Sequence, residues 1–369
     1  MKHVLCAVLS MLLVLGGCMV SCAEEKNSEE ESKMSEKIIL AYVENKSLDK
    51  LDEATMTRVT HVNLAFGVIR DKKLSMHDLP DIAKIVPLRE KYPNVKWVLS
   101  IGGWMADGFS QAAWDENTRA TFAKSVAKAV DKYDLDGVDI DWEFPCNDAG
   151  GIAADPKDKE NYTFLLQALR DAIGEEKILS VAVSAEAWNI RNTEMDKVAQ
   201  IVDYVQIMTY DMRPGQMTTG HHTSLHSPEE RMSDNSVDQS VERYIKAGVP
   251  REKIVIGAAF YGRHWKGGEA GEGMHRLSES YPEYGPAYHD ILTLIDTEGY
   301  QAYWDEVACA PYVIGPDIFI SYDDPRSVEA KCEFVREEGL LGIMYWVHGY
   351  DDTGVLLKTM ADTLSGTAE

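Results

Sequence analysis

Leu135-Asp136-Gly137-Val138-Asp139-Ile140-Asp141-Trp142-Glu143-Phe144-Pro145 alternates apolar and acidic residues. Side chains of a strand alternate between its faces, so Asp139, Asp141 and Glu143 share one face while Val138, Ile140 and Trp142 share the other. Successive carboxylates then stand roughly 6 to 7 Å apart. Ionising all of them in a partly buried place is costly, and one should hold a proton. An edge strand with a solvated acidic face is the plainer alternative. It fits poorly, because Trp142, Phe144 and Pro145 interleave with and follow the acids, and a helical segment precedes them; strands of α/β proteins usually have both faces covered.

Outward from this stretch, short β-rich runs alternate with helical patterns. Strands are expected near Ile38 to Tyr42, Val59 to Phe66, Lys96 to Ile101, Gly137 to Trp142, Leu179 to Ala185, Tyr204 to Met208, Ile254 to Phe260 and Leu341 to Tyr345. Helices are expected over Asp81 to Tyr92, Thr118 to Tyr133, Asn161 to Ile173, Val237 to Ala247 and Arg326 to Glu338. That repetition predicts an α/β fold, a (β/α)8 TIM barrel occupying residues 37–369. Glu143 then ends the fourth strand, at the barrel face where active sites form. From about His264 to Ser321 the chain is too long for a bare loop between the seventh and eighth strands, and a small α+β insertion is expected there.

Other strand ends carry further signals. Gly102-Gly103-Trp104 closes the third strand, and paired glycines suit a turn that brings backbone close to a neighbour. The sixth strand puts Gln206, Met208 and Tyr210 on one face; an inward Gln and Tyr need hydrogen-bond partners, which the carboxylates of the fourth strand can supply. Trp346 ends the last strand, where its flat face suits a pyranose ring.

The acidic stretch reads Asp-x-x-Asp-x-Asp-x-Glu and resembles the signature of glycoside hydrolase family 18, the chitinase-like enzymes, with Asp136, Asp139, Asp141 and Glu143 each matching. The resemblance extends from Lys37 to about Leu357. It implies a retaining hydrolase of β-1,4-linked N-acetylglucosamine glycans, chitin or chito-oligosaccharides, in which the substrate's acetamido oxygen is the nucleophile. Glu143 is implied as acid and base, Asp141 as the group that orients the acetamido, and Asp139 as its tuner through a shared proton. Tyr210 and Asp211 are implied to contact the acetamido group and nearby hydroxyls, and Trp346 to floor the site. Tyr42, Phe66, Gly103, Trp104, Met208, Tyr261 and Arg263 are implied to line the substrate cleft. Three acids on one face of one strand also fit poorly with two opposed carboxyls about 5 Å apart, which agrees with a nucleophile from the substrate. The chain departs from the family at Ala41, at Ala258-Ala259 and at Val347-His348-Gly349, positions that bear on substrate more than on reaction. An endo-β-N-acetylglucosaminidase acting on N-glycans or cell-wall glycans is a second reading and a non-catalytic chitin-binding lectin a third. Glu143 speaks against the lectin and the insertion favours the chitinase.

The start of the chain describes an export signal. A basic Met1-Lys2-His3 precedes an apolar run to Leu15, and Leu15-Gly16-Gly17-Cys18 resembles a bacterial lipobox, with Cys22 as the alternative lipidation site. Residues 1–22 are thus expected to be a lipoprotein-type signal and 23–36 an acidic flexible tether. The protein is expected to be exported and to meet a membrane through its lipid anchor only, at the cell surface or in the periplasm, as a monomer. A net charge of −24 argues against nucleic acid as a partner. Cys146, Cys309 and Cys332 have no metal-ligand spacing and are read as structural or free thiols. No metal and no cofactor is called for.

Overall fold

The computed structural model describes residues 37–227 and 235–366. The signal, both candidate lipidation cysteines and the tether therefore lie outside the described residues. Eight parallel strands run Ile38–Glu44, His61–Arg70, Lys96–Gly102, Gly137–Asp141, Ile178–Ser184, Tyr204–Met208, Ile254–Ala259 and Gly342–Trp346. Each pairs with its neighbours in chain order, and the first pairs with both the second and the last, so the sheet closes into a barrel. Apart from the acidic fourth, these segments are largely apolar because both faces are covered, the outer one by helices such as Glu116–Tyr133 and Asp158–Ile173.

Helix starts follow local chemistry. Asp115 accepts from Thr118 N at 2.8 Å while Thr118 Oγ1 accepts from Asp115 N at 3.0 Å, a reciprocal cap for Glu116–Tyr133. Asp324 and Ser327 repeat that arrangement on Pro325–Glu337. The helix expected over Asp81 to Tyr92 instead begins as a 3-10 turn, Ile82–Lys84, and is α-helical only over Ile85–Lys91. Pro87 lies in that first α turn and has no N–H to donate backward.

Two strands depart from expectation in ways that bear on the site. The second is longer, because Val68–Arg70 folds into a hairpin with Lys73–Ser75. The fourth is shorter: it ends at Asp141, and Glu143 stands on the loop just above it. Asp136 lies at the opposite end of the barrel, where its carboxylate accepts from Trp97 N at 2.9 Å and lies 3.6 Å from Lys96 Nζ, so it anchors the strand entry.

Between the seventh and eighth barrel strands lies a five-stranded antiparallel sheet. Its strands are Tyr261–Lys266, Glu283–Ala287, Gln301–Asp305, Ala310–Gly315 and Ile318–Ser321, and its own small core is Trp265, Ala270 and Phe319. Only Phe260 separates it from the barrel strand that ends at Ala259, and that ring stacks on Tyr345 at 4.2 Å. Among the described residues no helix is long and apolar enough to cross a membrane.

Candidate active site

The acid row runs up the barrel axis. Asp139 is fully buried and accepts from Tyr42 Oη (2.9 Å), Ser100 Oγ (2.8 Å), Ser180 Oγ (2.8 Å) and Gln206 Nε2 (2.7 Å). The inward-facing Gln206 thus finds its partner in the fourth strand. Burial pushes the Asp139 carboxyl up, and its four donors pull the other way. Asp141, 4% exposed, has no hydrogen-bond partner for Oδ1; burial, then the nearby Glu143 and Asp139, hold its carboxyl well above the usual range. Glu143 is pushed up to about 8 by burial and by the charge of Asp211. Its carboxyl therefore holds a proton at neutral pH, the state that a general acid needs.

The third strand makes room for this row. Gly102 and Gly103 both have positive φ, and a Cβ on Gly102 would lie 1.9 Å from Asp141 O, while Gly103 N donates to that same oxygen at 2.9 Å. Beyond them Trp104 is 60% exposed and borders a cavity of about 440 Å³ lined also by Glu44, Lys46, Phe66 and Met105.

Trp346 packs with Phe66, stacked on it at 5.5 Å between ring centroids, and with Tyr42, tilted at 5.6 Å. Met208 and Tyr210 pack in the same apolar cluster. The Tyr210 hydroxyl donates only to Met344 Sδ, at 3.7 Å, a weak partner that a polar ligand atom can displace.

Asp211 takes a left-handed backbone, φ 56°, that turns its carboxylate toward the insertion sheet. There it accepts from Arg263 Nε (2.6 Å) and Tyr261 Oη (2.7 Å), and its own N–H donates to His222 Nδ1 (3.2 Å). Although burial acts to raise it, Arg263 and His222 hold the Asp211 carboxyl far below the usual range. Asp211 is thus a fixed anion, neutralised by Arg263.

The structure gathers Glu143, Asp141, Asp139, Tyr42, Phe66, Gly103, Trp104, Met208, Tyr210, Asp211, Tyr261, Arg263 and Trp346 at the C-terminal mouth of the barrel. It adds residues that the sequence reading missed. Trp346 Nε1 donates to Tyr284 Oη at 2.9 Å, and the Tyr284 ring lies 4.4 Å from Tyr261 with Arg263 5.1 Å above its face. Trp188 meets Phe144 edge-on at 4.8 Å, beside the acid. Tyr284 lies in a tyrosine-rich insertion without periodicity, so no spacing marks it. Ser100 and Ser180, by contrast, are single polar residues inside apolar strands, a signal that was available.

The sequence pattern of the glycosyl hydrolases family 18 matches residues 38–351. The chain belongs to family 18. Among its family 18 relatives, chitinase A1 of Niallia circulans is 34% identical over 78% of this chain and 45% of its own length. The endochitinase of Manduca sexta is 29% identical over 82% of this chain and 60% of its own. The chain thus spans about half the length of these curated relatives. A family 18 N-acetylglucosaminidase structure from Paenibacillus barengoltzii superposes with a TM-score of 0.86 at 41% identity, covering 89% of this chain and all of that one. The Group IV chitinase of Ostrinia furnacalis in complex with allosamidin gives 0.83 at 26% identity, over 90% and 100% of the two chains.

Proposed function

We propose that the protein hydrolyses β-1,4-linked N-acetylglucosamine chains, chitin or its oligosaccharides, with retention of configuration and with the substrate's own acetamido oxygen as nucleophile. One observation carries this: of the acid row and Asp211, Glu143 and Asp141 are the members free of tight partners. Asp139 is enclosed by four donors and Asp211 is bound to Arg263 and Tyr261. Neither Asp139 nor Asp211 is thus free to attack from the opposite face, as a two-carboxylate retaining hydrolase requires.

The steps balance without one. A sugar ring stacks on Trp346, and its acetamido group enters between Asp141 and Tyr210. The acetamido oxygen bonds to the anomeric carbon as the glycosidic bond breaks, and the Glu143 proton passes to the leaving oxygen. Asp141 accepts from the acetamido N–H while positive charge grows on the ring so formed. Glu143, now a carboxylate, takes a proton from water; the hydroxide oxygen bonds to the anomeric carbon and the acetamido is restored. Two inversions at one carbon return the β-anomer.

Removal of single N-acetylglucosamine units is a second reading. Supporting it is the wall formed where Tyr284 meets Trp346, with the Tyr350 ring 6.5 Å from Tyr284 and Lys46 Nζ 5.9 Å above the Tyr350 ring. The similar N-acetylglucosaminidase of Paenibacillus barengoltzii points the same way. Export with lipidation at Cys18, or alternatively Cys22, and a monomeric state complete the proposal. Loss of membrane association in Cys18→Ser or Cys22→Ser assigns the anchor, and unmodified protein free in the medium rejects it.

Glu143→Gln tests the reaction. The amide keeps shape and ligand binding but has no acid to deliver, so turnover of a chitin oligosaccharide is expected to fall by at least ~100-fold to ~10,000-fold. Near-unchanged hydrolysis rejects the assignment.

A further inference from the structure

Beyond the sixth barrel strand the chain turns at Asp211, whose backbone is left-handed, φ 56°. A residue with a Cβ takes that conformation at a cost, so its surroundings must hold it there. Arg263 and Tyr261 hold the carboxylate from the insertion sheet. The backbone is held by a strap, residues 219–225, every one of them buried. His222 O accepts from Met212 N at 3.0 Å, Thr223 Oγ1 donates to Thr209 O at 3.0 Å, and His222 Nδ1 accepts from Asp211 N at 3.2 Å. The strap is fixed in turn, since His222 N donates to Ser321 Oγ at 3.0 Å and Lys331 Nζ to Thr223 Oγ1 at 2.7 Å. Thr209, Asp211 and Met212 are each clamped, with Tyr210 between them.

Within that clamp the imidazole makes the one side-chain bond to the Asp211 backbone. Its Nδ1 faces two groups of Asp211, the N–H at 3.2 Å and Oδ1 at 3.5 Å, and cannot accept from the first while donating to the second. A proton on Nδ1 would set donor against donor and leave the Asp211 N–H without an acceptor. Among the described residues Nε2 has no hydrogen-bond partner, so a doubly protonated ring, 1% exposed, would bury a charge with one N–H unmet. We propose that His222, with its proton on Nε2, is a positioning residue whose Nδ1 holds the left-handed turn of Asp211 and so presents Tyr210 and Asp211 to the sugar. The turn thereby also fixes where the charge of Asp211 stands relative to Glu143.

The titratable groups around the ring agree with this. Tyr261 and Arg263 face it from the first insertion strand, with the Tyr261 ring centroid 5.4 Å away, and Asp323 faces it from beyond the last. Burial pushes the ring below its ordinary value and Arg263 adds to this, while Asp211 and Asp323 act the other way. Both carboxylates already have cations, Arg263 and Lys331. Asp211 takes up a proton only in far acid, where the ring is charged and turns Nδ1–H toward Oδ1; at neutral pH the ring accepts.

The inference rests on the roles given above to Tyr210, Asp211 and Glu143, and its test separates the two. His222→Asn places an amide oxygen where Nδ1 stands and keeps an acceptor for the Asp211 N–H; His222→Gln reaches the place of Nε2 instead, and His222→Leu has no acceptor. With a soluble N-acetylchitooligosaccharide, His222→Gln and His222→Leu are expected to raise KM about fivefold, the loss of one hydrogen bond, with kcat nearly constant below the alkaline limb. That limb of kcat/KM should move down by about half a unit as the charge of Asp211 shifts away from Glu143. His222→Asn should restore both. Equal KM values for the Asn and Gln variants, or an alkaline limb unmoved where KM rises, overturn the proposal; if His222→Leu does not fold, the Asn and Gln pair decides. Should the wild type not cleave the oligosaccharide, the functional reading fails. The positioning is then decided by nitrogen NMR of ring-labelled histidines, with the His222 signals identified by their loss in His222→Asn. A bare Nδ1 and a protonated Nε2 at neutral pH support it, and a proton on Nδ1 overturns it.

Discussion

Arg263 grips Asp211 with two prongs, Nε 2.6 Å from Oδ1 and Nη2 against Oδ2, and so fixes a negative charge beside the protonated Glu143. Burial first and the charge of Asp211 second keep the proton on Glu143, and the cation that pairs with Asp211 belongs to the insertion sheet.

Removing that charge should shift the alkaline side of catalysis. Asp211 contributes to raising Glu143, so Asp211→Asn lets Glu143 ionise at lower pH. The wild-type kcat/KM is expected to fall as pH rises through about 8, as the acid form of Glu143 is lost. In Asp211→Asn the alkaline limb should lie lower, and an unchanged limb would separate the two residues.

The same shift has a stability counterpart with a definite sign. The folded Glu143 binds a proton up to about 8, whereas the unfolded side chain releases it near 4.5. Its contribution is complete below the unfolded value and declines as pH rises to the folded one. Glu143→Gln has no charge to bury, so its Tm is expected to fall less than that of the wild type between those limits. Thermal denaturation across the interval checks this.

Tyr284→Phe deletes the acceptor of the Trp346 indole and leaves the ring packing in place. Losing one neutral hydrogen bond costs about 1 kcal/mol. KM for an oligosaccharide should therefore rise about fivefold with kcat nearly constant. An equal fall in kcat would instead place Tyr284 in the chemical step.

Lys331 and Asp323 are both fully buried, with Nζ 2.8 and 2.7 Å from the two carboxylate oxygens. Asp323 also accepts from Ala259 N at 2.9 Å and from Ser327 Oγ at 2.7 Å, so it ties the seventh barrel strand to the helix Pro325–Glu337. Lys331→Met leaves that charge without its cation and is expected to cost about 3 to 5 kcal/mol in urea denaturation.

The barrel was legible because its strands, the acidic fourth apart, are largely apolar runs of the length a buried parallel strand needs, most of them followed by helices of clear period. The acid row was legible because alternation fixes which residues share a face. Its uppermost member was placed on the strand, yet it stands on the loop above; periodicity says nothing of where hydrogen bonding to the next strand stops. Gln206 was found by asking where an inward amide finds partners. Tyr284 was not, because the geometry that brings it to Trp346, 62 positions away, arises from the pairing of Glu283–Ala287 with Tyr261–Lys266 and leaves no local trace.

The first and last strands of the insertion sheet pair with each other, Ser321 opposite Arg263, so this segment enters and leaves the barrel at nearly one point. A segment with such adjacent ends can be gained or lost in evolution as a cassette, at little cost to the barrel. Here excision would also take Tyr261, Arg263 and Tyr284, stripping Asp211 of two partners and Trp346 of its acceptor. The module is therefore separable in architecture but not in chemistry. A descendant that discarded it would need another counter-charge to keep Asp211 ionised.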